Sequence, residues 1–214
     1  MAANVDTAVI VATATQPDFE PELVDRYIIL CHSAVIEPIV CLNKIDLTKK
    51  RHPALELYHQ QGLTVIETSP KTGFGLDDLR DTIRGKMAIL LGKSGAGKST
   101  LINALLPHAN VETQELSKRA QQGQHTTTRS DIHVWEPGSF LIDTPGIRTL
   151  DVSHLDEDDV ALGFPDILLL AQNCRFTDCR HETEPSCAVR AAEEAGTLPK
   201  WRWKSYARIL EEGG

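Results

Sequence analysis

The sequence predicts an α/β domain on a mostly parallel sheet, followed by a small, mostly helical appendage. Three observations predict this. Short apolar runs recur through the first two thirds of the chain with helical patterns between them; one run leads into a glycine-rich loop that opens a helical pattern; and beyond residue 150 the texture turns to loops crowded with cysteine. The division expected is a first domain over 1–155 and a second over 156–214.

The first domain follows from the spacing of its apolar residues. Candidate strands lie at 8–12, 38–42, 63–67, 87–91, 132–135 and 140–142, most of them continuous rather than alternating, as for strands covered by helices on both faces. Helical patterns fill the gaps at 23–34, 54–60, 76–84 and 98–105; the third follows Gly73 and Gly75 and carries Asp77 and Asp78 in its first turn, where a helix dipole favours acids. That alternation is the pattern of βα units in a parallel sheet.

The appendage follows from composition. An acidic segment at 156–159 and an apolar run at 167–171 give way to a turn-rich stretch over 172–187, then to a helical tail rich in Trp, Arg and Glu. From residue 174 onward seven Lys/Arg balance seven Asp/Glu, so the excess acid lies upstream.

Length and charge exclude several classes. With 214 residues, 41% hydrophobic and 24% charged, the chain is neither disordered nor fibrous. No apolar run approaches the roughly 20 residues of a spanning helix, and residues 1–6 lack the basic and apolar regions of a signal peptide; a soluble, cytoplasmic, monomeric protein without a membrane partner is expected. Lys+Arg number 22 against 30 Asp+Glu, a net charge of -8, so bulk electrostatics repel nucleic acid and phosphate binding must come from local clusters.

Gly92-Lys93-Ser94-Gly95-Ala96-Gly97-Lys98-Ser99 fits the phosphate-binding pattern G-x-x-x-x-G-K-[ST] and stands between a strand and a helix, the required order. In such a loop glycines let the backbone curl its N–H groups around phosphate oxygens, Lys98 neutralises the outer phosphates, and the Ser99 hydroxyl reaches Mg²⁺. Ser94, Gly95, Ala96 and Thr100 complete the cradle. A bare Gly-rich turn is the plain alternative, and the flanking strand and helix argue against it.

Asp143-Thr144-Pro145-Gly146 follows the run at 140–142; there a carboxylate can hold the Mg²⁺ shell and the Gly146 N–H can meet a γ-phosphate. Asn43-Lys44-Ile45-Asp46 likewise ends a strand. An Asp carboxylate at that place accepts both the ring N–H and the exocyclic amino group of guanine, donors that adenine lacks as a pair, and the Lys44 stem can lie against the base. A site built on paired hydrogen bonds rejects the analogue without them by orders of magnitude, which selects GTP and GDP over ATP and makes an ATPase the weaker reading. Ser69-Pro70-Lys71-Thr72-Gly73 would buttress the base, with Ser69 and Lys71 the candidates.

Gln124-His125-Thr126-Thr127-Thr128 lies between the phosphate loop and Asp143. A Thr hydroxyl there can ligate Mg²⁺; Thr127 is nominated, with Thr126 and Thr128 left open. A Thr-rich edge strand is the alternative. In the tail, Cys174, Cys179, His181 and Cys187 give C-x4-C-x-H-x5-C, three thiolates and one imidazole, suited to tetrahedral Zn²⁺ in a closed structural site. The metal would supply folding energy that a short appendage cannot draw from a core.

The guanine motifs precede the phosphate loop, the reverse of the ordinary order, so the sheet is circularly permuted. With this order, the Gln124–Thr128 segment, Leu23-Val24-Asp25-Arg26-Tyr27 and the stretch from Cys174 to Val189, the chain resembles the RsgA (YjeQ) family of circularly permuted GTPases. The resemblance implies a circularly permuted P-loop GTPase domain with a zinc-binding C-terminal domain. It also implies GTP hydrolysis stimulated by the small ribosomal subunit, a role in that subunit's late maturation, and contact with rRNA. Members usually carry an N-terminal oligonucleotide-binding barrel, for which 214 residues are expected to leave no room. Lys93 and Ala96 stand where the family commonly has Gln and Val.

Ras-type sites orient the attacking water with a Gln just after D-x-x-G; here that place is Ile147, which cannot polarise water. Slow intrinsic turnover is expected, with His125 as the substitute, a role the resemblance assigns to the matching His. The alternative is a GTP-dependent ribosome- or RNA-binding module with vestigial hydrolysis. Arg175, Arg180, Lys200, Arg202, Lys204 and Arg208, with Trp201 and Trp203, are the candidate RNA contacts.

Overall fold

The structure, a computed structural model, describes residues 4–106, 131–143 and 152–213, and the chain divides into two compact units. The first holds a six-stranded sheet in the order β3-β2-β1-β4-β6-β5: β1 (Thr7–Thr13), β2 (Glu37–Asn43), β3 (Thr64–Glu67), β4 (Met87–Leu91), β5 (Asp131–Glu136) and β6 (Ser139–Asp143). Every neighbouring pair is parallel except β5 with β6, which a short connection joins as an antiparallel hairpin. The observed bounds of β4 match those expected from sequence, and the other strands differ by one residue at an end or at both.

Continuous apolar runs become doubly covered strands, as expected. Val9, Val11, Ile39, Cys41, Ala88, Leu90 and Leu141 form one buried face with Leu79 and Ile83 of α3 (Leu76–Ile83) and Leu101 and Ile102 of α4 (Lys98–Leu105). The alternate residues Ala8, Ile10, Val40, Leu42, Ile89 and Leu91 are buried too. A further helix, α2 (Ala54–Gln60), buries Ala54, Leu55 and Tyr58.

The second unit is helical: α1 (Pro21–Ser33), α5 (Glu157–Leu162), α6 (Pro165–Ala171), α7 (Ala188–Glu194) and α8 (Lys200–Gly213). Its core joins Ile29 and Leu30 of α1 to Val152, Leu155, Val160, Phe164, Ile167, Val189, Tyr206 and Ile209. The acidic segment starts α5, because the Asp156 carboxylate caps it by accepting from the Asp159 N–H at 2.8 Å. Pro165 opens α6, at the helix position where a missing N–H costs nothing. The placement of α1 with helices that follow more than 120 residues later is a tertiary fact with no counterpart in local periodicity.

A buried ion network ties this unit together. Arg202 of α8 is 0% exposed, donates to Asp25 at 2.7 Å, to Asp166 at 3.0 Å and to the Gly163 carbonyl at 2.8 Å, and lies over the Phe164 ring at 4.0 Å. Ser205 donates to the other Asp25 oxygen at 2.5 Å. Among the described residues no helix is long and apolar enough to cross a membrane.

Candidate nucleotide and metal sites

Strands β3, β2, β4 and β6 run in one direction, so Glu67, Asn43, Leu91 and Asp143 end them at a common edge of the sheet. The chain leaves β1 outward through β2 and β3, and leaves β4 in the opposite sense toward β6. Ligands of open α/β sheets bind at such a reversal, beyond the carboxyl ends of the strands. Permutation of the chain leaves that edge intact.

The loop after β4 has two glycines that no other residue could replace cheaply. Gly92 has φ +142°, and a Cβ there would stand 2.4 Å from the Val11 carbonyl oxygen; Gly97 has φ +93°, and a Cβ would stand 2.5 Å from Asn43 Nδ2. Within the loop the Ala96 N–H donates to the Lys93 carbonyl at 3.1 Å. Lys98 begins α4 and is only 8% exposed; its Nζ donates to the Gly92 carbonyl at 2.7 Å and the Lys93 carbonyl at 3.3 Å. Burial pushes the Lys98 ammonium below the ordinary lysine range, against the opposing pull of Asp143. Ser99, half-buried, and Thr100, exposed, complete the first turn of α4. Asp143 pairs in register with Leu90, just before the loop begins.

The Asn43–Asp46 motif holds that loop, and the Ser69–Gly73 motif holds Asp46 in turn. Asn43 Nδ2 donates to the Ala96 carbonyl at 3.0 Å, while Asn43 Oδ1 accepts from the Lys44 N–H at 2.8 Å and the Thr68 hydroxyl at 3.3 Å. Lys44 takes a left-handed turn, φ 60°, which sends its ammonium to the Gly95 carbonyl at 2.7 Å and the Gln16 carbonyl at 2.5 Å. Asp46 sits in the short turn Ile45–Leu47; its Oδ1 accepts from the Ser69 hydroxyl at 2.8 Å, and Lys71 Nζ stands 4.0 Å from its Oδ2. Asn43, Lys44, Asp46, Ser69, Lys71 and the loop 92–99 are thus brought to one place. His125, Thr127 and Gly146 lie outside the described residues.

In the second unit, Cys174, Cys179, His181 and Cys187 bring their ligand atoms within 4.8 Å of one another. Cys174 and Cys187 are 3.9 Å apart at sulfur, and His181 Nδ1 lies 3.6 and 3.4 Å from those two sulfurs. A tetrahedron with Zn–S bonds of about 2.3 Å has edges of about 3.8 Å, so the donor set and spacing fit that metal. Left-handed turns at His181 (φ 65°) and Ser186 (φ 61°) fold the loop back on itself. The Ala188 N–H donates to Cys174 Sγ at 3.4 Å and the Arg190 N–H to Cys187 Sγ at 3.5 Å, so the start of α7 is aimed at the sulfurs. Burial opposes ionisation of the Cys174 thiol, and hydrogen bonds from the amides of Ala188 and Val189 and from Cys179 and Cys187 together outweigh it, leaving the thiol below its ordinary value.

Sequence reasoning missed Glu184, whose carboxylate accepts from the backbone N–H groups of Arg180 and Glu182 at 2.9 Å and of Thr183 at 3.0 Å. Bonds from its own amide and that of Arg180 hold this carboxyl below the usual range. Nothing in E-T-E-P distinguishes it from an ordinary surface acid. The other two cysteines are inert by contrast: burial pushes Cys31 and Cys41 up to about 12.

One RNA candidate is corrected. Arg202 is enclosed by Asp25, Asp166 and Phe164 and presents nothing to a partner, because its charge is already spent on two carboxylates. Arg175, Lys200, Lys204, Arg180 and Arg208 are exposed; Arg180 lies 3.7 Å from Glu157 and Arg208 pairs with Glu22 at 2.9 Å. Trp201 and Trp203 are partly buried, with Trp203 against Tyr206.

The RsgA GTPase family model matches residues 1–153. The chain is 39% identical over 218 residues to a protein of Sodalis glossinidius (strain morsitans) named small ribosomal subunit biogenesis GTPase RsgA, covering 99% of this chain and 63% of that one. It is 39% identical to the protein of the same name from Alkaliphilus metalliredigens (strain QYMF), covering 98% and 73%. Among solved structures, YjeQ from Thermotoga maritima superposes with a TM-score of 0.75 at 26% identity, over 98% of this chain and 72% of that one. YloQ, described as a circularly permuted GTPase, gives 0.72 at 32% identity, over 98% and 68%.

Proposed function

The chain belongs to the RsgA GTPase family, and from that premise we propose that it hydrolyses GTP to GDP and phosphate in the late assembly of the small ribosomal subunit, with turnover stimulated by that subunit. The observation that carries the reading is the convergence of Asn43, Asp46, Ser69 and Lys98 at one sheet edge, joined by the bond from Asn43 to the phosphate loop. The sheet unit takes the nucleotide and the helical unit, which includes α1, takes the metal.

In this reading Asp46, held by Ser69, accepts the ring N–H and amino group of guanine, and Lys44 lies along the base. The N–H groups of Gly95, Gly97 and Lys98 face the phosphates, with Ala96 shaping the loop between them through its bond to the Lys93 carbonyl, and the Lys98 ammonium exchanges its carbonyl partners for phosphate oxygens. Ser99, Asp143 and Thr127 would hold Mg²⁺, which when bound neutralises charge on the outer phosphates. Gly146 donates to the γ-phosphate. Ile147 leaves the water without an orienting group, so His125 takes that role. Cys174, Cys179, His181 and Cys187 would hold Zn²⁺, which there acts in folding rather than chemistry. Exposed Arg175, Arg180, Lys200 and Lys204 face rRNA. A cytoplasmic monomer fits such a partner.

The test is single-turnover hydrolysis of GTP with and without purified small subunits. The reading expects slow turnover alone and a rise of at least tenfold with subunits, lost in His125→Ala while GTP affinity holds. Subunit-independent turnover, or tight GTP-dependent docking with no hydrolysis, overturns it, the latter in favour of a binding module.

A further inference from the structure

The phosphate loop carries a second lysine that the nucleotide reading leaves without a task. Lys93 contributes its carbonyl to the loop, accepting from the Ala96 N–H at 3.1 Å and from Lys98 Nζ at 3.3 Å, so its Cα is fixed beside the phosphate cradle. Its side chain is not fixed in the same way. The Lys93 side chain is 49% exposed, and its ammonium lies 2.5 Å from Glu20 Oε1, whose own side chain is 45% exposed. Lys98, by contrast, is buried and directed at the loop's own carbonyls.

We propose that Lys93 is a second phosphate ligand of the nucleotide site, held by Glu20 and transferred to the terminal phosphate when a triphosphate binds. This rests on the nucleotide reading above and adds to it a chain-specific residue and a competing counter-charge. An exposed ion pair is worth about 0–1 kcal/mol, because water and salt screen it and two flexible side chains must be held. A terminal phosphate in a cradle of backbone N–H groups carries more charge in a drier place, where each charge-assisted hydrogen bond is worth about twice a neutral one. Lys93 has a four-carbon stem and three rotatable donors, so it can leave one anion for the other without moving its backbone. The pair with Glu20 therefore acts as a tax on GTP binding, and GDP, lacking the third phosphate, leaves the pair in place.

Binding of GDP and of a non-hydrolysable GTP analogue, each with Mg²⁺, to the full chain and its variants tests this. Lys93→Gln should weaken the analogue about tenfold and GDP less than twofold. Glu20→Gln, which frees Lys93, should strengthen the analogue severalfold, and the double variant should lose that gain and bind as weakly as Lys93→Gln. Equal losses for both nucleotides, or a double variant restored to the parent's affinity, overturns the proposal, the second because Lys93 then only screens Glu20. Unchanged thermal melts of the apo variants show that the fold is intact. If the parent binds no guanine nucleotide, the nucleotide reading itself falls, a result the parent alone reveals.

Discussion

Asn43 and Ala96, 53 residues apart in the chain, are joined by a 3.0 Å hydrogen bond from the Asn43 side-chain amide to the Ala96 carbonyl. This bond fastens the end of β2, which leads into the loop proposed to read the base, to the loop proposed to cradle phosphate. Gly97 sits beneath it with no room for a Cβ. Asn43 is buried, so its removal takes the side-chain donor from the Ala96 carbonyl and leaves the buried Thr68 hydroxyl with Cys41 Sγ alone, at a cost of about 1–3 kcal/mol. Asn43→Ala should therefore weaken GTP and GDP by a similar factor of at least ten, measured by titration calorimetry, because the strained loop geometry serves both.

In the proposed function Asp46 carries base selection. Asp46→Asn replaces one acceptor oxygen by a donor that faces the guanine donors, so GTP affinity should fall by about 10³ or more. Xanthosine triphosphate, which has a carbonyl where guanine has its amino group, should gain relative to GTP. Competition between the two nucleotides reads this directly.

The Lys98 ammonium is disfavoured by burial in the free protein and favoured by phosphate in the complex. Its pKa is thus lower free than bound. Affinity for GTP should be complete below the free-state value and decline as pH rises through it, with proton uptake on binding in that range. Calorimetry in buffers of different ionisation enthalpy counts those protons, and Lys98→Arg should flatten the pH profile.

Arg202 holds the helical unit through two carboxylates and a carbonyl. Arg202→Ala leaves Asp25 charged, buried and without its guanidinium, and should destabilise this unit by about 3–5 kcal/mol in urea unfolding. Arg202→Lys should recover little of that, because one ammonium cannot serve Asp25, Asp166 and Gly163 with the geometry of a planar fork.

Metal removal separates the cysteines. The folded protein should release one equivalent of zinc to a chelator with parallel exposure of three thiols, those of Cys174, Cys179 and Cys187, and loss of helical signal from the tail. Cys31 and Cys41, with thiols near 12, should stay unmodified by iodoacetamide at pH 8 until the protein unfolds. Glu184→Gln should speed zinc loss, because the neutral amide accepts less strongly from three loop amides.

Local pattern made most of the sheet legible. Strand β4 and helices α2 and α4 begin and end where the sequence places them, because each is bounded by glycine, proline or a polar turn that stops the hydrophobic period. The glycine-rich 92–99 motif was legible because its spacing is set by backbone geometry within one loop, and the cysteine cluster because soft ligands crowd into one short stretch. What stayed hidden depends on distant partners. The Trp-Arg-Trp of α8 looked like a surface for RNA, yet Arg202 is buried by Asp25, which lies 177 positions away. The role of α1 in the helical unit, the grip of Lys93 on Glu20 and the amide-binding Glu184 are likewise set by tertiary approach, which neither periodicity nor composition encodes.

Titration of Mg²⁺ with GTP, GDP and ATP into the full chain and into Lys98→Ala tests the central claim most directly. One guanine-nucleotide site per chain is predicted, with ATP weaker by about 10³ and binding abolished in the variant. Equal affinity for ATP and GTP, or a Lys98→Ala variant that binds GTP as the parent does, would contradict it.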